Sequence, residues 1–125
     1  MTDGRKPLDV LDRHLELRRA ARMEDDLAEN YAPDVVVLTR WGQDRGHDAM
    51  RRMAAKLEEE IPAAEFSYKE VLVEDEFGYL EWSGTGQNGA TACSGADSYV
   101  VRDGAIVCQT IHYNLHEPQG GQSAG

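Results

Sequence analysis

The stretch from Gly95 to Leu115, GADSYVVRDGAIVCQTIHYNL, constrains the fold more than any other part of the chain. Two β-rich runs flank Arg102-Asp103-Gly104, so the stretch reads as a hairpin. On the second run Ile111, Tyr113 and Leu115 alternate with Thr110, His112 and Asn114. Such a strand buries its apolar face. On the first run Tyr99 and Val101 share a face with Asp97. A two-residue turn at Asp103-Gly104 would set Asp97 opposite Thr110; a three-residue turn would set it opposite Gln109. Only the three-residue turn brings the two apolar sets together, so the expected register pairs Asp97 with Gln109. It places Asp97, Tyr99, Gln109, Ile111 and Tyr113 on an inner, concave face and His112 on the outer one.

The remainder divides at its prolines and glycines. Residues 8–31 carry two apolar stripes, Leu8/Leu11/Leu15 and Met23/Leu27/Tyr31, which are out of phase across Arg18–Arg22. That predicts a long helix, a break and a short helix ended by Pro33. Val35–Thr39 is a short β-branched strand, apolar on both faces and expected inside. A loop or short hairpin follows at RWGQDRG, then a helix over His47–Ile61 closed by Pro62. Phe66–Glu74 and Phe77–Thr85 read as strands around an Asp75-Glu76 turn, with Leu80 and Trp82 facing inward. Residues 84–95 are small and polar, a flexible connection. Helices come first and an antiparallel sheet dominates the second half, so the class is α+β. Residues 1–7 and 117–125 read as disordered tails around a single domain over 8–116.

Composition excludes several functions. The chain has 125 residues, enough for one core. Its net charge of −10 argues against nucleic acid and anionic membranes, which repel an acidic surface. No apolar run approaches the length of a membrane span, and no signal peptide is evident. A soluble, cytoplasmic protein is expected. Cys93 and Cys108 form no metal spacing and no disulfide framework, and both are expected to be reduced and unlinked. No phosphate loop, dinucleotide fingerprint or metal motif is present, so no cofactor is implied.

Asp97 is the candidate catalytic residue. A carboxylate among core side chains is costly unless it is partnered or used. Trp82, Tyr99, Gln109, Ile111 and Tyr113 would shape a pocket around it. Thr39 would add a hydrogen bond, and Trp41 would stand at the mouth beside Arg40. His14 could hang over the mouth, although polar groups on an amphipathic helix usually face water. His112 is expected on the outer sheet face, and His47 and His116 at element ends.

YAPDVVVL after two helices, a helix start at Gly46, LEWSG, and the final hairpin together resemble the nuclear transport factor 2-like superfamily, in its SnoaL-like branch. The resemblance spans about residues 8–116. It implies a cone: a strongly curved antiparallel sheet wrapped on the N-terminal helices as a cystatin-like α+β barrel, with one deep hydrophobic pocket and common homodimerisation. The superfamily includes ketosteroid isomerases, which use a carboxylate base, a neutral Asp and a Tyr. Laid on that pattern, Asp97 falls at the neutral Asp, Thr39 at the base, and Leu15, next to His14, at the Tyr. Two functions follow as expectations. One is a cofactor-free isomerase, cyclase or dehydratase acting on a small apolar carbonyl compound. The other is a non-catalytic ligand-binding or dimer-scaffold module, favoured by the missing base at Thr39. Either would be a homodimer holding a small hydrophobic molecule.

Overall fold

The break expected between the first two helices is a helix end with defined geometry. In the computed structural model, which describes residues 4–87 and 92–116, α1 spans Pro7–Arg19 and α2 spans Met23–Asn30. Between them the Arg22 N–H bonds the Leu17 carbonyl at 2.9 Å and the Ala21 N–H bonds the Arg18 carbonyl at 3.0 Å. This is a Schellman closure. It puts Ala21 at φ 57°, a left-handed conformation usually reserved for glycine. The buried face of α1 is Val10, Leu11, His14, Leu15 and Leu17, whereas Leu8, expected in the stripe, is 44% exposed.

Seven strands follow around a third helix: β1 (Tyr31–Thr39), β2 (Gly42–Arg45), α3 (His47–Glu60), β3 (Glu65–Tyr68), β4 (Leu72–Glu74), β5 (Phe77–Thr85), β6 (Ala92–Arg102) and β7 (Ala105–His116). They form one curved, unclosed sheet in the order β2-β1-β7-β6-β5-β3, with β4 also on β5. The class is α+β, with one departure from an all-antiparallel sheet: β1 runs parallel to β7. The two lie far apart in sequence, so no turn signal predicts their pairing. Helix α1 packs against β5, β6 and β7, and α3 against β1. The core lies between, built on Val10, Leu11, Leu27, Val35, Leu80, Val101 and Ile106.

Several boundaries differ from expectation. Strand β1 begins at Tyr31 and carries Pro33 through a register irregularity between Tyr31 and Val36, the kind of place a strand tolerates proline. It is not buried on both faces, since Leu38 is 41% exposed. The run 66–74 is two short strands, because β3 and β4 each pair a different stretch of β5. Gly84, Thr85 and Ala92–Gly95 belong to strands, so the 84–95 connection is shorter than expected; the part at 88–91 lies outside the described residues. So do residues 1–3 and 117–125 of the expected tails. Arg5, also placed in a tail, donates to Asn30 Oδ1 at 2.8 Å and to the Gly104 carbonyl at 2.7 Å.

The β6–β7 register also differs. The turn has two residues, Asp103 at φ 52° and Gly104 at φ 76°, the left-handed pair that a tight hairpin requires. A bulge between Val100 and Val101 then shifts the pairing, so Asp97 faces Ile111 and Tyr99 faces Gln109. The bulge supplies the odd residue that a three-residue loop would have supplied. Asp97, Tyr99, Gln109, Ile111 and Tyr113 therefore still stand on one buried face, with His112 exposed outside. Ile106, on the turn side of the bulge, is fully buried. Both cysteines are free. Among the described residues no helix is long and apolar enough to cross a membrane.

Candidate active site

The concave face of β5, β6 and β7 meets α1 and α3 around a cavity of about 580 Å³. Met23, Met50, Met53, Leu57, Ile61, Phe66 and Leu80 make its walls apolar. Its polar end gathers His14, Arg18, Tyr68, Trp82, Asp97, Tyr99 and Gln109. Asp97 is 8% exposed. Its Oδ1 accepts from the Trp82 indole N–H at 2.9 Å, and its Oδ2 accepts from Gln109 Nε2 at 2.9 Å. The Tyr99 hydroxyl lies 3.5 Å from Oδ2. Burial lifts the Asp97 carboxyl to about 6, against the pull of the Trp82, Gln109 and Tyr99 hydrogen bonds and the Arg18 charge.

Each donor is itself held. The Gln109 carbonyl oxygen accepts from the Tyr31 hydroxyl, which leaves its amide to point at Asp97. Trp82 sits opposite Gly95 across β5 and β6. A Cβ at Gly95 would come within 2.4 Å of the Trp82 ring, so the glycine lets the indole lie flat over β6 and reach Asp97. Burial raises the Tyr99 phenol well above its ordinary value, so it stays protonated.

Behind Tyr99 is a second polar cluster. His14 Nδ1 is 2.7 Å from Asp26 Oδ2, and His14 Nε2 is 3.2 Å from the Tyr99 hydroxyl. Asp26, fully buried, also accepts from Arg18 Nε at 2.8 Å and Asn30 Nδ2 at 2.8 Å. Burial alone would raise the Asp26 carboxyl, but His14, Arg18 and Asn30 outweigh it and hold the group below the ordinary carboxylate value. Burial lowers His14, and Asp26 only partly opposes this. Asp26 is thus ionised and His14 neutral near pH 7. An ionised carboxylate only accepts, so His14 carries its proton on Nδ1 and presents a lone pair on Nε2 to Tyr99.

The structure gathers Asp97, Trp82, Tyr99, Gln109, Ile111 and His14 around this cavity. It does not bring Thr39 and Trp41 there. They line a smaller hollow of about 330 Å³ between the β1–β2 hairpin and α3, with Met53 bordering both spaces. The reason is the β1–β2 hairpin, which carries Trp41 beside Arg40 and Lys56, whose cations lie 4.7 Å and 5.0 Å from its ring. Tyr113 backs the wall instead of lining it: its ring packs on Trp82 and Trp41, and its hydroxyl donates to Glu60. His14 is 4% exposed, not a surface group, because α1 turns positions 11, 14, 15 and 18 toward the sheet. That spacing of three, one and three is a helical face and was the available signal. Asp26 and Asn30, four apart on α2, were missed because nothing local distinguishes them from surface polar residues; Tyr31 was placed in the apolar stripe, but nothing local signals its hydroxyl bond to Gln109.

The comparisons with known proteins fit this geometry. A provisionally assigned ketosteroid isomerase from Kribbella flavida superposes with a TM-score of 0.71 at 17% identity, covering 94% of this chain and 85% of its own. A provisionally assigned polyketide cyclase from Xanthomonas campestris gives 0.68 at 18% identity, covering 86% and 90%. The protein TerC, co-crystallised with polyporic acid, gives 0.71 at 15% identity, covering 86% and 91%. At these identities the likeness is one of fold. No curated protein matches significantly. The SnoaL-like domain profile matches residues 11–109, most of the chain, including Asp97 with Trp82, Tyr99 and Gln109 around it; the chain belongs to the SnoaL-like domain family.

Proposed function

We propose that the chain is an enzyme that moves a proton on a small, largely apolar carbonyl compound, by isomerisation, cyclisation or dehydration, with Asp97 as the general base. The observation that carries this reading is the Asp97 carboxyl itself: buried at the polar end of an apolar cavity, where burial pushes it up to about 6. A base poised near the working pH combines the right protonation state with useful basicity. Both oxygens of Asp97 receive hydrogen bonds from donors fixed by other contacts. Such an environment favours a proton acceptor over a neutral donor of the ketosteroid isomerase kind. Trp82 and Gln109 position the carboxylate, and the methionine-rich wall adapts to the substrate's apolar body. Relatives described as cyclases and isomerases, and one bound to polyporic acid, support a small-molecule substrate. Two free thiols suit a reducing, cytoplasmic setting. Dimerisation through the outer sheet face completes the reading.

The test uses 2-tetralone, an enolisable aryl ketone, as the probe. Incubated with the protein in deuterated water, it should exchange its α-protons faster than in buffer, and Asp97→Asn should abolish the acceleration while leaving the fold intact. Binding without exchange would favour the non-catalytic ligand-binding reading. Exchange that survives Asp97→Asn would remove Asp97 as the base.

A further inference from the structure

The proposed base has one neighbour that the proton-abstraction reading does not use. Tyr99 has a single hydroxyl proton and two acceptors within reach, His14 Nε2 at 3.2 Å and Asp97 Oδ2 at 3.5 Å. While Asp97 is ionised its Oδ2 also accepts from this hydroxyl, but once Asp97 is protonated the Tyr99 proton turns to His14 Nε2, since Asp26 holds the His14 proton on Nδ1. The phenol oxygen is then left with a lone pair facing Asp97. An unbroken line results, from Asp97 on β6 through Tyr99 to His14 on α1 and Asp26 on α2, and every member is buried.

We propose that His14 is the second proton carrier of this site, taking over through the Tyr99 hydroxyl the proton that Asp97 removes from the substrate. This rests on the reading of Asp97 as the base. The step balances without a co-reactant. The substrate C–H bond breaks and an O–H bond forms on Asp97. That proton passes to the Tyr99 oxygen as the Tyr99 proton passes to His14 Nε2. Asp97 is a carboxylate again, Tyr99 is again a phenol, and His14 is an imidazolium paired with the Asp26 carboxylate. Reversal returns the proton to a different atom of the substrate, or to a departing oxygen. The pairing with Asp26 at 2.7 Å is what makes a buried imidazolium tolerable.

The surroundings suit such a transfer. In water a carboxyl is more acidic than an imidazolium by about 2.5 pH units, which would leave the proton on histidine. Burial raises Asp97 and lowers His14, so the gap narrows and the proton can rest on either. The other charged or titratable groups around the line and its cavity are Arg18 from α1, Arg51 and Glu58 from α3, Tyr31 from β1 and Tyr68 from β3. Arg18 is committed to Asp26 through its Nε, and both tyrosines stay protonated because burial raises them.

The experiment needs no substrate, so its failure is separable from failure of the tetralone test. The Asp97 carboxyl and the His14 ring nitrogens are followed by NMR as pH varies, in the full chain. A shared proton makes both residues report the same two inflections. Tyr99→Phe should uncouple them, leaving each with a single inflection. Coupling by charge alone would survive Tyr99→Phe, and that result would overturn the proposal. His14→Gln keeps a partner for Asp26 and Tyr99 but does not titrate; it should reduce Asp97 to one inflection. A wild-type His14 that stays in one tautomer while Asp97 titrates would likewise overturn it and leave His14–Asp26 as a tie between α1 and α2.

Discussion

Asp97 is stabilised by its hydrogen bonds and destabilised by its burial, and burial is the larger effect. The sign of the resulting pH dependence follows. Its folded-state pKa of about 6 lies above the ordinary 3.8. Well below the ordinary 3.8 the group is protonated in both states and contributes nothing. As pH rises through both values the unfolded chain ionises first, and the folded state loses about 3 kcal/mol relative to it. Asp97→Asn cannot ionise, so its stability should exceed that of the wild type by more at pH 7.5 than at pH 4, by about 2 kcal/mol between the two conditions. Urea melts of both proteins at both pH values measure this. An unchanged difference would mean that Asp97 titrates as a solvated carboxyl.

At the scale of elements, two local geometries hold the site. Gly95 admits the Trp82 indole to the surface of β6. In Gly95→Ala the new Cβ would lie 2.4 Å from the Trp82 ring and 2.8 Å from the His112 carbonyl oxygen, so the indole must move and its bond to Asp97 break. The cost should be about 1–3 kcal/mol, read as a lower thermal midpoint with a red-shifted tryptophan emission. The α1–α2 corner gives the opposite case. Ala21 holds a left-handed φ of 57° that costs an L-residue about 1–2 kcal/mol. Part of that gain is offset by the greater freedom of glycine in the unfolded chain, so Ala21→Gly should raise stability by about 0.5–1 kcal/mol. A fall in the melting midpoint would show that the Ala21 methyl packs usefully in the cavity wall it helps to form.

For the whole molecule, the outer face of the sheet is the open question of assembly. Register aligns two rows across four strands: Phe77, Val100, Cys108 and Val36, then Tyr79, Ser98, Thr110 and Leu38. Phe77, Tyr79 and Leu38 are 54%, 39% and 41% exposed, and Leu72, paired to Tyr79, is 60% exposed. A contiguous apolar patch of this kind marks an interaction surface. A second copy would cover it, since a two-fold axis lets one patch bury itself. Sedimentation equilibrium at tens of micromolar should give twice the 13.9 kDa chain mass, and Leu38→Lys with Phe77→Lys should return the monomer. A wild-type monomer at that concentration would reject the assembly.

Much of this architecture was legible in the residues. Alternation along Leu80, Trp82, Asp97, Tyr99, Ile111 and Tyr113 names one buried face, because the apolar sets of paired strands must share a side, whichever turn or bulge sets the parity. The phase break at Arg18–Arg22 names two helices. Local pattern also singled out Asp97, since a carboxylate on an apolar strand face is costly wherever the strand goes. It did not give the pairing of Asp97 with Ile111, because the bulge beside Val101 is set by how the strands twist together. Nor did it give the parallel contact of β1 with β7, the separation of Thr39 and Trp41 from Asp97, or the burial of His14, Asp26 and Asn30. Asp26 and Asn30 resemble surface groups along the chain, and the helical spacing of His14 shows a face but not its partners. These residues become a connected network only when α1 and α2 close on the sheet, and a buried polar group is stable only with partners that the tertiary fold supplies.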